Sequence, residues 1–291
     1  MSNISHNPVL LNEVLHFLEP QDDKIYLDCT FGAGGYTNAI LNSAKCEVIG
    51  IDRDVTTKKF ADEIKNDRFT YFNMKFSEID KLNKSFDGIA LDIGVSSMQV
   101  DNAERGFSFK KEAKLDMRMG QNILSAHDIV NITGESNLSD ILYRYGDEVR
   151  ARKIAKEIVK NRPINTTFEL VNIVKKFYPI KNKIDPSTKT FQAIRIAVND
   201  ELNELKKVLE LSKILLNPHG RLVVVSFHSL EDKIVKDFMN SLVDKTKNDK
   251  YKVKEEKFKL LTKKPIVPSK EEIDNNIRSR SAKLRAIEKC V

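Results

Sequence analysis

The residues best placed to do chemistry are three aspartates, each closing an apolar run, and a glycine-rich turn. Asp28 closes Ile25-Tyr26-Leu27 and opens Asp28-Cys29-Thr30-Phe31-Gly32-Ala33-Gly34-Gly35, Asp52 closes Val48-Ile49-Gly50-Ile51, and Asp92 opens Asp92-Ile93-Gly94-Val95-Ser96-Ser97-Met98-Gln99. Glycine lacks a Cβ and tolerates positive φ, so such a turn lets a ligand come close to the backbone. A carboxylate at the tip of the following strand can accept hydrogen bonds from the hydroxyls of a ribose. Strand, glycine turn, helix, strand and acid therefore make a unit for a nucleotide-like cofactor. The dinucleotide fingerprint G-x-G-x-x-G seats a pyrophosphate on the helix N-terminus. Here the third glycine is displaced, and Asp28 stands in front of the turn. An acid there repels a pyrophosphate and suits a cation. S-adenosylmethionine, with an ammonium, a sulfonium and no phosphate, fits better than NAD. A dinucleotide site and a plain turn remain open as alternatives.

Asp92 stands where enzymes that methylate exocyclic amines often carry an Asn/Asp/Ser-Pro-Pro-aromatic tetrapeptide, whose polar groups accept hydrogen bonds from the target amine. The prolines and the aromatic are missing here, but an acid, a glycine and two hydroxyls remain. A helix cap is the plainer role for Asp92. Phe76, after the third apolar run, suits either an adenine face or an apolar anchor for the next helix. In Ser226-Phe227-His228-Ser229-Leu230-Glu231-Asp232 the histidine reaches the same sheet edge as Asp92. It either touches substrate and assists proton removal or is structural, while Ser229 and Asp232 read as a helix cap. Ser229, His228 and Asp232 make a poor hydrolase triad, because the nucleophile elbow G-x-S-x-G is absent. Arg105 and Phe107, in Glu104-Arg105-Gly106-Phe107-Ser108-Phe109, and Arg118, in Leu115-Asp116-Met117-Arg118-Met119, mix cations with apolar rings and sulfur. They form either a surface that stacks a base and clamps a phosphate or ordinary packing. Arg195, in Lys189-Thr190-Phe191-Gln192-Ala193-Ile194-Arg195, is a further candidate for substrate, one helical turn from Asn199.

The elements that must position these residues follow from periodicity. Apolar runs at 25–29, 47–52, 69–73 and 88–92 alternate with helical patterns, which predicts an α/β fold with a parallel, doubly wound sheet. Between 105 and 211 no strand is predicted. Helices are expected over 138–161, from the capping box Thr166-x-x-Glu169 up to Pro179, and over 186–216. A buried strand returns at 221–227, and a last one is expected at 282–288. The lysine-rich stretch 245–264 reads as a mobile loop. The expected organisation is a core of 1–104 and 212–291 with an all-helical substrate-recognition domain, 105–211, inserted after the fourth strand. Ligands of open α/β sheets bind beyond the carboxyl ends of the strands, so an insertion there can contribute substrate contacts.

Composition narrows the function classes. The 291 residues are 41% hydrophobic, enough for a sizeable core, and no apolar run approaches the roughly 20 residues of a membrane span. Residues 1–7 lack the apolar stretch of a signal peptide. Cys29, Cys46 and Cys290 are an odd, widely spaced set, expected to be reduced thiols in a cytoplasmic protein and neither disulfides nor zinc ligands. No metal-ligand cluster is visible. The net charge is +7, and 20 lysines and arginines against 14 acids between Arg105 and Leu211 place six of those charges there. That asymmetry points to a polyanionic partner.

Taken together, the motifs resemble one family: bacterial methyltransferases that modify N4 of a cytidine in small-subunit (16S) ribosomal RNA, the MraW/RsmH family. The resemblance runs nearly end to end. It includes His6-x-Pro8-Val9-Leu10-Leu11, the glycine turn from Asp28, Ile51-Asp52-Arg53-Asp54, Asp92 to Ser97, Glu104 to Phe109, Leu115 to Met119, Thr190 to Arg195 and Ser226 to Asp232. It implies a class I S-adenosylmethionine-dependent methyltransferase fold, Rossmann-like, with an inserted helical domain. It also implies S-adenosylmethionine binding by Gly34, Gly35, Tyr36, Asp52, Phe76, Asp92 and Gln99. Tyr36 replaces a histidine of several relatives, which matters little if that contact is through the backbone. The implied partner is small-subunit rRNA or the assembled small subunit, near the decoding centre, with no membrane association and with monomer and dimer both open.

Overall fold

The computed structural model describes residues 8–179, 185–244 and 257–291. His6 and residues 245–256 of the lysine-rich stretch lie outside them. The chain divides into two compact units: 1–94 with 202–291, and 95–201. Each boundary falls about ten residues before the expected 105 and 211. Leu205, Val208 and Leu209, expected in the insert, are buried in the core of the sheet unit.

In chain order the first unit contains α1 (Leu11–Leu18), β1 (Ile25–Asp28), α2 (Gly35–Ser43), β2 (Glu47–Asp52), α3 (Lys58–Ala61), β3 (Phe69–Asn73) and β4 (Phe86–Asp92). The second contains α4 (Ser97–Asp101), α5 (Ala126–Ile132), α6 (Glu135–Gly146), α7 (Ala151–Lys160), α8 (Thr167–Lys175) and α9 (Ser187–Asn199). The chain then completes the first unit with α10 (Glu201–Leu215), β5 (Leu216–Ser226), α11 (Ser229–Asp244), β6 (Phe258–Leu260), α12 (Lys270–Asn275) and β7 (Lys283–Lys289). The expected helix 138–161 is two helices, α6 and α7, parted at Asp147 with φ 51°. The expected helix 186–216 is likewise split into α9 and α10 at Asp200, φ 50°. A left-handed residue cannot continue an α-helix, and glycine is its usual occupant. β6 was not expected, since it lies inside the stretch read as a loop.

The sheet order is β3-β2-β1-β4-β5-β7-β6, parallel except that β7 runs antiparallel to β5 and β6. Successive residues of each strand feed opposite faces. Leu27, Ile49, Ile89, Leu91, Leu222 and Val224 pack on one side with α10 and α11. Tyr26, Val48, Ala90, Val223 and Val225 pack on the other with α1 and α2. Burial on both faces explains why the central strands read as near-continuous apolar runs. This is the Rossmann-like, doubly wound sheet of the class I methyltransferase fold. Its order reverses at β1, between β2 and β4, and the crevice beyond that switch point is where such sheets bind ligands. The helical unit has its own core, built on Leu138, Leu142, Ile154, Ile158, Leu170, Val174 and Ile194. Cys29 and Cys46 are buried, Cys290 is partly exposed, and all three are free thiols.

Candidate cofactor and active site

Asp28, Asp52 and Asp92 are the last residues of β1, β2 and β4, so the topology brings all three to the carboxyl edge of the sheet. Their environments differ, and so does the chemistry open to each.

Asp28 is fully buried. One carboxylate oxygen accepts the Thr30 N–H (3.1 Å), and the other accepts both the N–H (3.2 Å) and the hydroxyl (2.8 Å) of Thr37. Thr37 lies in the first turn of α2, whose N-cap, Gly34, offers no side chain. Asp28 therefore caps the helix from β1, taking up a donor that would otherwise be orphaned. Its oxygens are taken up by the cap, so the cation-suited acid of the sequence reading serves the turn. Burial lifts its carboxyl to about 6, although the Thr37 and Thr30 hydrogen bonds pull the other way.

Asp52 locks the glycine turn. One oxygen accepts the Gly32 N–H (2.9 Å) and the other the Asp54 N–H (2.8 Å). A carboxylate has about four acceptor positions, so hydroxyl donors can still be received. Burial raises this group to about 6 as well, against those two backbone hydrogen bonds. The turn is further fixed by Phe31, whose ring stacks on Phe69 (5.5 Å between centroids) and meets Tyr71 edge-on (5.2 Å). Phe31 was not singled out in the sequence, yet it anchors the turn. The two glycines implied for cofactor binding do different work. Gly34 sits at φ 80°, which needs glycine, whereas a Cβ on Gly35 would collide with the Pro8 side chain.

Asp92 has a different role. Its backbone N–H donates to the Thr30 hydroxyl (2.7 Å), tying β4 to the β1 loop. Its Oδ1 is inaccessible to solvent and has no hydrogen-bond partner among the described residues. Burial first, then the charges of Asp28 and Glu231, raise its carboxyl to about 8. A buried acceptor without a donor is unfavourable, and here it lies at the switch-point edge. Among the described residues no cation pairs with Asp28, Asp52 or Asp92.

His228 and Glu231 cap α11. The fully buried Glu231 accepts the N–H groups of Phe227 (2.9 Å) and His228 (3.2 Å), and the His228 Nδ1 accepts the Glu231 N–H (3.4 Å). The His228 Nε2 lies 3.0 Å from the Glu231 carboxylate, without hydrogen-bond alignment. Both ring nitrogens thus face Glu231. The geometry gives His228 a capping role. The cap is not Ser229 with Asp232, as expected. Asp232 instead pairs with Arg285 (2.7 Å) and Lys283 (3.2 Å) of β7.

The remaining candidates are largely architectural. Tyr36 is buried, and its hydroxyl donates to the Val9 carbonyl at 2.5 Å, so only its backbone stays available to a ligand. Phe76 is half-buried and packs against the core beneath the sheet, as an anchor does. Gln99 lies in the helical unit. Its side-chain oxygen accepts the Ser96 N–H (3.0 Å) and completes the capping box of α4. Also in that unit, Phe107 is buried with the Arg105 guanidinium over its ring, and Arg105 donates to the Arg118 carbonyl (2.8 Å). Arg118 makes a two-pronged pair with Asp116, both contacts 2.8 Å. Arg195 makes another with Glu201, both 2.8 Å, and both partners are largely buried. Asn199 joins α9 to the 115–119 segment by donating to the Met117 carbonyl (2.8 Å) and accepting the Met119 N–H (2.9 Å). The structure thus brings Arg105, Phe107 and Arg118 together, holds Arg195 against Glu201, and leaves neither Phe107 nor Arg195 presented for stacking or phosphate.

Among the described residues no helix is long and apolar enough to cross a membrane. The sequence matches the MraW methylase family over residues 3–290. It is 49% identical to the Ribosomal RNA small subunit methyltransferase H of Orientia tsutsugamushi (strain Ikeda), with 98% of each chain covered. It is 50% identical to the protein of the same name from Rickettsia canadensis (strain McKiel), with 97% of each covered. A match of this extent and identity, over a sheet with this strand order and this acidic edge, places the chain in the MraW methylase family.

Proposed function

We propose that the protein transfers a methyl group from S-adenosylmethionine to the exocyclic N4 of a cytidine in small-subunit (16S) ribosomal RNA, near the decoding centre, in the cytoplasm. The observation that carries this reading is the buried, unpartnered Oδ1 of Asp92. It is an acceptor waiting for a donor at the ligand edge of a methylase fold. The names of the relatives supply the rRNA substrate. An exocyclic amine supplies the N–H that Asp92 lacks.

The residues present fit the cofactor. The acidic edge at Asp52 and Asp92, with no cationic partner among the described residues, suits a cationic ligand, and Asp52 keeps free acceptor positions for ribose hydroxyls. Phe76, Gly34, Gly35 and the backbone at Tyr36 complete the proposed cradle, with Gln99 retained only through its support of the 96–99 turn. The cofactor supplies an electrophilic methyl carbon on a sulfonium. Burial holds the Asp92 carboxyl at about 8, and a cationic cofactor would favour its ionised form; in that form Asp92 receives the amine N–H, orients the nitrogen lone pair and opposes the positive charge that grows on nitrogen. The leaving proton goes to water, since the ring nitrogens of His228 face Glu231. The helical unit, with its excess of positive charge, takes the RNA.

The test is incubation with labelled S-adenosylmethionine and either small subunits or naked rRNA lacking the modification, followed by digestion and identification of the nucleoside. N4-methylated cytidine is expected. No transfer to either RNA, with cofactor binding intact, would sink the rRNA reading.

A further inference from the structure

The helical unit contains a cleft of about 490 Å³ lined by none of the residues assigned above. It lies between the end of α6 and the first turn of α7, and Tyr143, Glu148, Arg152 and Lys153 contribute to it. Glu148 is fully buried. Its Oε1 accepts the Arg150 N–H (2.8 Å) and the Tyr178 hydroxyl, and Arg150 lies over the Tyr178 ring at 4.1 Å. Its Oε2 has no solvent contact and no partner among the described residues. A carboxylate oxygen in that state is unfavourable unless something brings it an N–H.

Of the other walls, one carries Asp140, which is paired with Arg144 (3.8 Å), and the rest have complementary chemistry. No side chain caps α7, a ten-residue helix; the Ala151 N–H donates to the Glu148 carbonyl (3.1 Å), which leaves the N–H groups of Arg152 and Lys153 in the first turn to favour an anion. Arg152 and Lys153 are exposed in that same turn, and neither has an acidic partner among the described residues. Cations beside a helix N-terminus oppose the dipole, and a bound anion would reverse that cost. Tyr143, 62% exposed, offers an aromatic face. An acceptor for a base N–H, a ring for a base face and an anion site for a phosphate are the three elements by which single-stranded RNA is held. The volume is within the range of small-molecule sites.

We infer that this cleft holds one unpaired nucleotide of the RNA substrate, separate from the nucleotide offered to Asp92. The inference rests on the reading of the chain as an RNA methyltransferase. The experiment measures binding of a fluorescein-labelled, 12-nucleotide single-stranded RNA by anisotropy across a salt series, without cofactor, on full-length protein whose folding is checked by melting. Tyr143→Ala is expected to weaken binding about 5- to 160-fold, the range for loss of one stacked base. Arg152→Ala with Lys153→Ala is expected to flatten the slope of log affinity against log salt by about 1.4. Glu148→Gln is expected to weaken binding and leave that slope unchanged. Wild-type affinity and slope in the Tyr143 and Arg152/Lys153 variants would overturn the inference, as would absence of RNA binding by the wild-type chain. If those variants also methylate rRNA normally, only the cleft assignment fails. If wild type binds RNA through the cleft and transfers no methyl group, only the enzymatic reading fails.

Discussion

Replacing Asp92 with asparagine should make the free protein more resistant to unfolding as pH rises, while abolishing its proposed chemistry. Asp92 is held at about 8 against an ordinary 3.8, chiefly by burial. A carboxyl whose folded value is raised binds its proton more tightly in the native state. Stability is therefore unaffected below about pH 4, is lost as pH rises from there, and stops falling above about pH 8. At 1.36 kcal/mol per pH unit, the full span from 3.8 to about 8 sets an upper limit of about 6 kcal/mol. Asp92 is only partly buried, and solvent relaxes such a penalty, so about 2 kcal/mol is the working figure. For a chain of this size that corresponds to a change in Tm of about 4 °C. The amide side chain of the variant cannot ionise, so the Tm of Asp92→Asn minus that of wild type should climb by about 4 °C between pH 4 and pH 8, about 3 °C of it above pH 5. Methyl transfer should fall at least 10²-fold, the scale for losing a group that stabilises developing charge. Differential scanning fluorimetry at four pH values, beside a labelled-methyl assay, measures both. A Tm difference flat from pH 5 to pH 8 would refute the assignment of Asp92 as a buried, unpaired acid.

Three other substitutions separate structure from ligand binding. Asp28→Asn exchanges an oxygen that receives two Thr37 donors for an amide that satisfies fewer of them, and chemical denaturation should show a loss of about 1–3 kcal/mol. Arg195→Ala leaves the buried Glu201 without its partner and should cost about 3–5 kcal/mol, with the salt dependence of RNA binding unchanged; a smaller salt slope at undiminished stability would restore Arg195 as a phosphate contact. Gly35→Ala drives a Cβ into Pro8 and should lower Tm by several degrees, whereas Gly134→Ala, with open space around it, serves as the matched control and should leave Tm nearly unchanged.

Which features were readable in the sequence depended on whether the determining partner was local. β1, β2 and β4 are visible because double burial makes an apolar run and the acid at each end marks where the strand leaves the core, whereas the edge strand β3, with no fully buried residue, is marked by its aromatic and β-branched residues. β6 was hidden because three residues on the antiparallel side of the sheet, Phe258–Leu260, bury a single side chain fully and carry no period. The helix breaks at Asp147 and Asp200 were hidden because each occupies a left-handed position with a residue other than glycine, and the apolar spacing continues on either side.

The site shows the same dependence more sharply. On an unbroken helix, positions 195 and 201 would lie about 120° apart around the axis, so the bidentate Arg195–Glu201 pair is invisible until the turn at Asp200 is known. Arg195 then reads from sequence as an available cation, and in the structure it is a buried brace. Tyr36 and Gln99 follow the same course: each polar group suits a ligand in isolation and is taken up by a backbone partner once the chain folds. Asp92 is the converse. Its neighbours along the chain offer it ample hydroxyls, yet folding leaves its Oδ1 buried with no donor. That unmet acceptor, absent from any reading of spacing, separates the acid left for chemistry from the acids that hold the turn together.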